Sequence, residues 1–169
     1  SYDRLIDSAD IDDYISFDNE KVGELQANAL KDKMGDKGTI VMINGAPTDN
    51  NAKLYKAGAH SVFDESNIKI GKEYDTPDWS PDKAQSEMQQ AITALGKDGF
   101  QGVYAANDGT AGGAIAAMKS AGVKPNERPT TGQDAEVAAI QRILAGEQYM
   151  TIYKAVKPEA EGAAIMAVA

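Results

Sequence analysis

The chain has no cysteine and a single histidine among its 169 residues. Without cysteine there are no disulfides, no thiolate metal sites and no thiol nucleophile. The redox compartment stays open, because exported proteins without cysteine are common. The lone histidine, His60, falls in the middle of a helical pattern, which argues against a Ser-His-Asp triad or a histidine metal cluster. Positive charge is also scarce: 17 Lys+Arg against 26 Asp+Glu, a net charge of −9, with no basic run. Such a surface repels phosphate backbones and anionic lipid, so nucleic acid and membrane surfaces are poor partners. The plain consequence of the acidity is solubility. No apolar run approaches the roughly 18 residues of a membrane span, and no signal peptide is visible. The sequence opens on Ser1-Tyr2-Asp3-Arg4 without an initiator Met and closes in the alanine-rich EGAAIMAVA. Both ends read as cut, the pattern of a processed chain or a fragment.

What is present suits one globular domain, or one domain with pieces of another: 42% of residues are hydrophobic and 25% charged. A chain of this size buries a core without a disulfide or metal staple. The apolar period alternates between two and 3.6. Short strands are expected at YISF (14–17), TIVMI (39–43), IKIGKEY (68–74), GVYAA (102–106), RPTTGQ (128–133) and YMTIY (149–153). Helices are expected at 19–34, with Val22, Leu25, Ala29 and Leu30 inward, and at 50–63, with Leu54, Ala57 and Val62 inward. Further helices follow from Ser80-Pro81 to Leu95, from Asp108 to Ala121, from Ala135 to Leu144, and from Pro158 onward. TIVMI is a continuous apolar run, as expected of a strand covered on both faces. Alternating strands and helices imply βαβ units: an α/β fold with a Rossmann-like parallel sheet and helices on both faces. In such sheets ligands bind at the carboxyl ends of the strands.

Those ends carry polar and aromatic residues in turn: Asp18-Asn19, Asp49-Asn50-Asn51, Asp75 through Trp79, Asn107-Asp108, Asp134 and Lys154. Any one of them reads first as a helix N-cap; Asp18, Asn50 and Asp108 each fit that role alone. The doublets and triplets supply more polar side chains than caps require. Carboxylates accept hydrogen bonds, Lys only donates, and Asn does both. A sugar needs that mixture, because each hydroxyl donates and accepts, and charge-assisted bonds are the stronger ones. Its C–H face also rests on an aromatic ring, and Trp79 is the only tryptophan, set in a loop with two prolines. NDGTAGGA (107–114) lacks the Lys-Ser/Thr of a phosphate loop and the glycine spacing of a dinucleotide fold; its small residues suit close helix–sheet packing. Composition leaves paired glycosidase carboxylates open, although none has an evident cause for a raised pKa.

The segments SYDRLI, DIDDYISFDNEKVGELQA, GAPTDNNAKLYKAG, DWSP, ANDGTAGGAIAAM and GQDAEVAAIQRILAGEQYMTIYK resemble the periplasmic sugar-binding proteins of ABC transporters. The xylose-, glucose- and arabinose-binding members are the most similar, and the resemblance runs in order along essentially the whole chain. It implies one lobe of a type I periplasmic binding protein, in which two Rossmann-like lobes joined by a three-stranded hinge close on a monosaccharide. It also implies roles for residues: Asp3 and Arg4 from YDR, Asp49 and Asn51 from DNN, Trp79 as stacking platform, Asn107 from ND, Asp134 from GQDA and Lys154 from YK. The division it implies is 1–16 as a remnant of the N-terminal lobe with the first hinge crossing, 17–154 as the C-terminal sugar-binding lobe, and 155–169 as a helix returning to the N-terminal lobe. The remainder of that lobe is missing. No cofactor, metal or catalytic residue is implied, and the partners are the sugar and a membrane permease. The location implied is periplasmic or extracellular, with lipid anchoring to the outer face of the membrane as one form. Two rivals remain. A repressor-type transcriptional regulator shares the fold and would carry this chain as its sugar-sensing effector domain; a helix-turn-helix would mark it. A glycosidase would be marked by turnover.

Overall fold

The computed structural model describes residues 1–6 and 10–168. Residues 7–9 and 169, which belong to the terminal segments of the division above, lie outside the described residues. In chain order the elements are α1 (Asn19–Met34), β1 (Gly38–Asn44), α2 (Asn50–Phe63), β2 (Ile68–Asp75), α3 (Pro81–Leu95), β3 (Gly102–Ala105), α4 (Asp108–Ser120), α5 (Val137–Leu144) and α6 (Val156–Met166). Short 3₁₀ turns occupy Pro77–Trp79 and Pro125–Glu127. The sheet is parallel, in the order β2-β1-β3.

β1 is the central strand, and its apolar run is covered on both sides. Ile40 and Met42 face Ala27, Leu30, Ala59 and Phe63 of the α1 and α2 layer, with Tyr104 of β3 on the same side. Val41 and Ile43 face Ala84, Met88, Ile92, Ala114 and Met118, the layer of α3 and α4. Successive side chains of a strand point to opposite faces, so one run of apolar residues serves two cores. All four β1 residues are fully buried.

Three expected strands are reduced to single bridges. Ile15 of YISF pairs with Tyr2, away from the sheet. Thr130 pairs with Val103, and Gln133 with Ile152. The ladder beyond β3 breaks because the Ala105 N–H donates to the Thr131 hydroxyl, 2.9 Å away, instead of to a main-chain carbonyl. The helix expected from Ala135 starts at Val137, since Asp134 and Ala135 have φ of 105° and 52°, outside helical space.

The inward faces of α1 and α2 also differ from expectation. Leu25 is 46% exposed, whereas Val22 and Leu30 are buried. On α2 the buried face is Asn51, Ala52, Tyr55, Gly58, Ala59 and Phe63; Ala57 is exposed and Leu54 and Val62 are half-buried. Backbone proximity explains the rotation. A Cβ on Gly58 would sit 1.9 Å from the Glu20 carbonyl oxygen of α1, so the face of α2 that carries Gly58 must meet α1, and Leu54, Ala57 and Val62 turn aside. Gly113 of α4 acts likewise: a Cβ there would meet the Pro81 carbonyl at 2.2 Å. It brings helix against helix, rather than helix against sheet.

Candidate functional site

The polar residues after each strand gather at one edge of the sheet, and capping accounts for only part of them. α1 is capped by Asp18, whose carboxylate accepts from the Lys21 N–H. α2 is capped by Asp49 and not Asn50: Asp49 Oδ1 accepts from the Asn51 N–H at 2.9 Å. α4 is capped by Asn107, which forms a capping box with Thr110, leaving Asp108 for another purpose. Asp108 is fully buried. Its Oδ2 accepts from the Glu136 N–H (3.0 Å) and the Thr151 hydroxyl (2.9 Å), and its Oδ1 from the Gln148 amide (2.8 Å). This carboxylate therefore ties the start of α4 to the two broken strands and holds the Asp134 loop in place.

The eight residues singled out in the sequence form a connected set. Arg4 Nη1 donates to Asp49 Oδ2 at 2.7 Å, and its Nε lies 3.4 Å from Asp3. Trp79 Nε1 donates to the same Asp49 oxygen at 3.0 Å. Asn51 is fully buried, and its amide donates to the Asp3 carbonyl at 3.1 Å; in this state it anchors Asp3 and does not open onto the cleft. On the far side, Lys154 Nζ lies 3.7 Å from Asp134, and Asn107 Nδ2 lies 3.5 Å from the other Asp134 oxygen. Tyr55 joins the two groups. Its ring meets Trp79 edge-on at 6.2 Å, and its hydroxyl accepts from Lys154 at 3.1 Å.

Trp79 is half-buried against the α1/α2 core. It lies over Gly45, where a Cβ would sit 2.1 Å from the ring. Lys154 Nζ lies 5.4 Å above the Phe17 ring and 5.6 Å from that of Tyr55. A cleft of about 340 Å³ opens beside this set, lined by Asp3, Arg4, Phe17, Asp134, Lys154 and Glu159 among others. That is near the lower end of the roughly 300–1,000 Å³ typical of small-molecule sites.

Backbone geometry marks the same places. Among the described residues, the non-glycine positions with positive φ are Asp3, Asp36, Asp78, Trp79, Asp134 and Ala135. Asp3, Trp79 and Asp134 belong to the site, and two of the others adjoin it in sequence. Such conformations cost about 1–3 kcal/mol each and persist where the surroundings enforce them, which is characteristic of ligand sites. Burial raises the Asp134 carboxyl above its ordinary pKa; Lys154 acts in the opposite direction without cancelling it. Burial likewise raises the Tyr55 phenol, against the pull of Lys154. The Arg4–Asp49 pair involves a side chain 55% exposed, and such pairs contribute little, so opening it costs little.

Sequence reasoning missed Tyr55, Phe17 and Glu159. Tyr55 had a readable signal, since it lies four residues after Asn51 and therefore on the same face of α2. Phe17 directly precedes the polar pair Asp18-Asn19. Glu159, on the last helix, had none.

The whole chain, residues 1–169, matches the family described as periplasmic binding protein domain. It is 46% identical over 172 residues to the D-xylose-binding periplasmic protein of Escherichia coli (strain K12), covering 99% of this chain and 51% of that protein. It is 36% identical over 174 residues to the multiple sugar-binding periplasmic receptor ChvE of Rhizobium radiobacter, covering 91% of this chain and 49% of the receptor. The structure superimposes on that of an ABC transporter solute-binding protein from Clostridium phytofermentans with bound β-D-glucose. The TM-score is 0.86 at 31% identity, over 95% of this chain and 55% of that one. The chain belongs to the periplasmic binding protein domain family, and its parallel sheet with flanking helices is the type I fold of that family. It spans about half the length of the relatives it matches.

Proposed function

We propose that this chain is the greater part of one lobe of the solute-binding component of an ABC sugar importer, acting on a monosaccharide such as xylose or glucose. Residues 17–154 form the C-terminal lobe, and 1–16 and 155–169 belong with the hinge and the partner lobe. The observation that carries this reading is the connected set at the sheet edge: acceptors Asp3, Asp49 and Asp134, donors Arg4, Asn107 and Lys154, and one aromatic platform, Trp79. Asn51 supports Asp3 from below. A neutral ligand bearing several hydroxyls satisfies this mixture, because each hydroxyl gives one bond and takes another.

The protein is a binder and not an enzyme in this reading. Closure of two lobes over the sugar is a hinge motion, and a membrane permease reads the closed form. The relatives named as periplasmic support a periplasmic location, with lipid anchoring to the outer face of the membrane as a variant of it. The test is a thermal-shift panel of pentoses and hexoses on the two-lobed protein, followed by calorimetry on the hits. Binding of one or a few monosaccharides without turnover is expected. Absence of any monosaccharide binding, or hydrolysis of glycosides, overturns the reading.

A further inference from the structure

We propose that Glu159 is a further ligand-binding residue of this cleft: its carboxylate accepts a hydroxyl of the bound monosaccharide from the α6 side. The inference rests on the sugar-binding reading above and adds a contact to it. Glu159 stands in the first turn of α6 and is only 7% exposed. Its Oε1 is buried without a hydrogen-bond partner. It lines the cleft together with Asp3, Arg4, Phe17, Asp134 and Lys154.

A buried acceptor is normally satisfied; the Tyr2 hydroxyl faces the Glu159 carboxylate, Oε1 is left over, and the cations nearby are engaged elsewhere. Arg4 pairs with Asp3 and Asp49, and Lys154 with Asp134 and the Tyr55 hydroxyl. Core packing gives no reason for a carboxylate here; an apolar side chain would fill the position without leaving an orphaned oxygen. Burial, with the Asp3 charge nearby, raises the Glu159 carboxyl above its ordinary pKa against the pull of the Tyr2 hydroxyl, Lys154 and Arg4. A donor for Oε1 can reach it from the cleft that Glu159 lines. It must be compact and must leave room for the Asp3 and Asp134 acceptors to be satisfied by other groups of the same molecule. A sugar hydroxyl meets these conditions.

The experiment compares Glu159→Leu and Glu159→Gln with wild type in the two-lobed protein. Ligand-free thermal unfolding and calorimetric affinity are measured for the monosaccharides that wild type binds and for their singly deoxygenated analogues. Glu159→Leu removes the orphaned acceptor, so its ligand-free Tm is expected to rise, while sugar affinity falls at least about ten-fold, as expected for loss of a charge-assisted bond. Glu159→Gln keeps an oxygen and loses less. One deoxy sugar should bind wild type more weakly than its parent, while Glu159→Leu no longer distinguishes the two. Unchanged affinity in Glu159→Leu overturns the proposal. So does a fall in Tm with an affinity loss equal across every analogue, which is the behaviour of a structural residue. If wild type binds no monosaccharide, the functional reading falls and this one with it. If wild type binds and the Glu159 variants bind every analogue as wild type does, this inference alone falls.

Discussion

Asp49 shows how much one residue does at this edge. One oxygen caps α2 and the other accepts from both Arg4 and Trp79. The cap orients the carboxylate, and the carboxylate then holds the indole over Gly45. Trp79 is thus fixed in orientation, at the expense of left-handed backbone at Asp78 and Trp79, as the proposed platform requires. Trp79→Ala in the two-lobed protein is expected to weaken sugar binding by about 1–3 kcal/mol, the range for stacked aromatics. Isothermal calorimetry checks this, and unchanged affinity removes Trp79 from the site.

Two polar knots matter at the scale of elements. The Asp108 carboxylate receives three donors from segments that make no regular strand. Asp108→Ala removes a fully buried acceptor from three donors, of which only the Gln148 amide keeps another, the Met150 carbonyl; the lost bonds cost about 1 kcal/mol or more each. A loss of at least about 3 kcal/mol of stability is expected in urea unfolding, together with a loosened Asp134 loop. The second knot joins α2 to β2. His60 places Nε2 at 3.1 Å from Glu73 and Nδ1 at 3.1 Å from Asp64, while Lys56 bridges Glu73 and Asp75.

Burial lowers the His60 pKa, but hydrogen bonds to Glu73 and Asp64 outweigh it, so the pKa lies above the ordinary 6.5. Burial raises Glu73, but His60, Lys56 and Asn44 outweigh it, so that pKa lies below the ordinary 4.5. A raised histidine contributes its full stability below 6.5 and loses it as pH rises through the folded value. A lowered glutamate contributes above 4.5 and loses it as pH falls. The stability advantage of wild type over His60→Gln is therefore expected to peak between about pH 4.5 and 6.5 and to shrink above that window, as read by thermal unfolding across pH.

For the whole molecule, the chain spans about half the length of the relatives it matches, and on the proposed reading the cleft has only one lobe to enclose it. Tight binding of a small ligand requires most of its surface to be enclosed. This chain by itself is expected to bind free monosaccharide with a Kd above about 1 mM, weaker than about −4 kcal/mol, and the two-lobed protein far more tightly. Calorimetry of both checks this; submillimolar binding by the 169-residue chain would show the partner lobe to be dispensable.

The sequence by itself determined the α/β class, because an apolar run such as residues 39–43 next to amphipathic helices has few other ways to bury itself. It also determined which edge carries the polar residues, since a parallel sheet sends every strand end to the same side. Asp3, Arg4, Asp49, Trp79, Asn107, Asp134 and Lys154 were legible because they follow strands or sit in motifs. Only the tertiary structure decided how each is used. It made Asp49 the cap in place of Asn50, turned Asn51 inward to Asp3, and buried Asp108 as a knot. It also reduced three strands to bridges, two of them beside the Thr131 hydroxyl and the left-handed loop at Asp134. Tyr55 and Glu159 reach the site through contacts 99 residues apart in the first case and through the fold-back of the last helix in the second. Local pattern carries no information about such distances, because side-chain partners are chosen by packing.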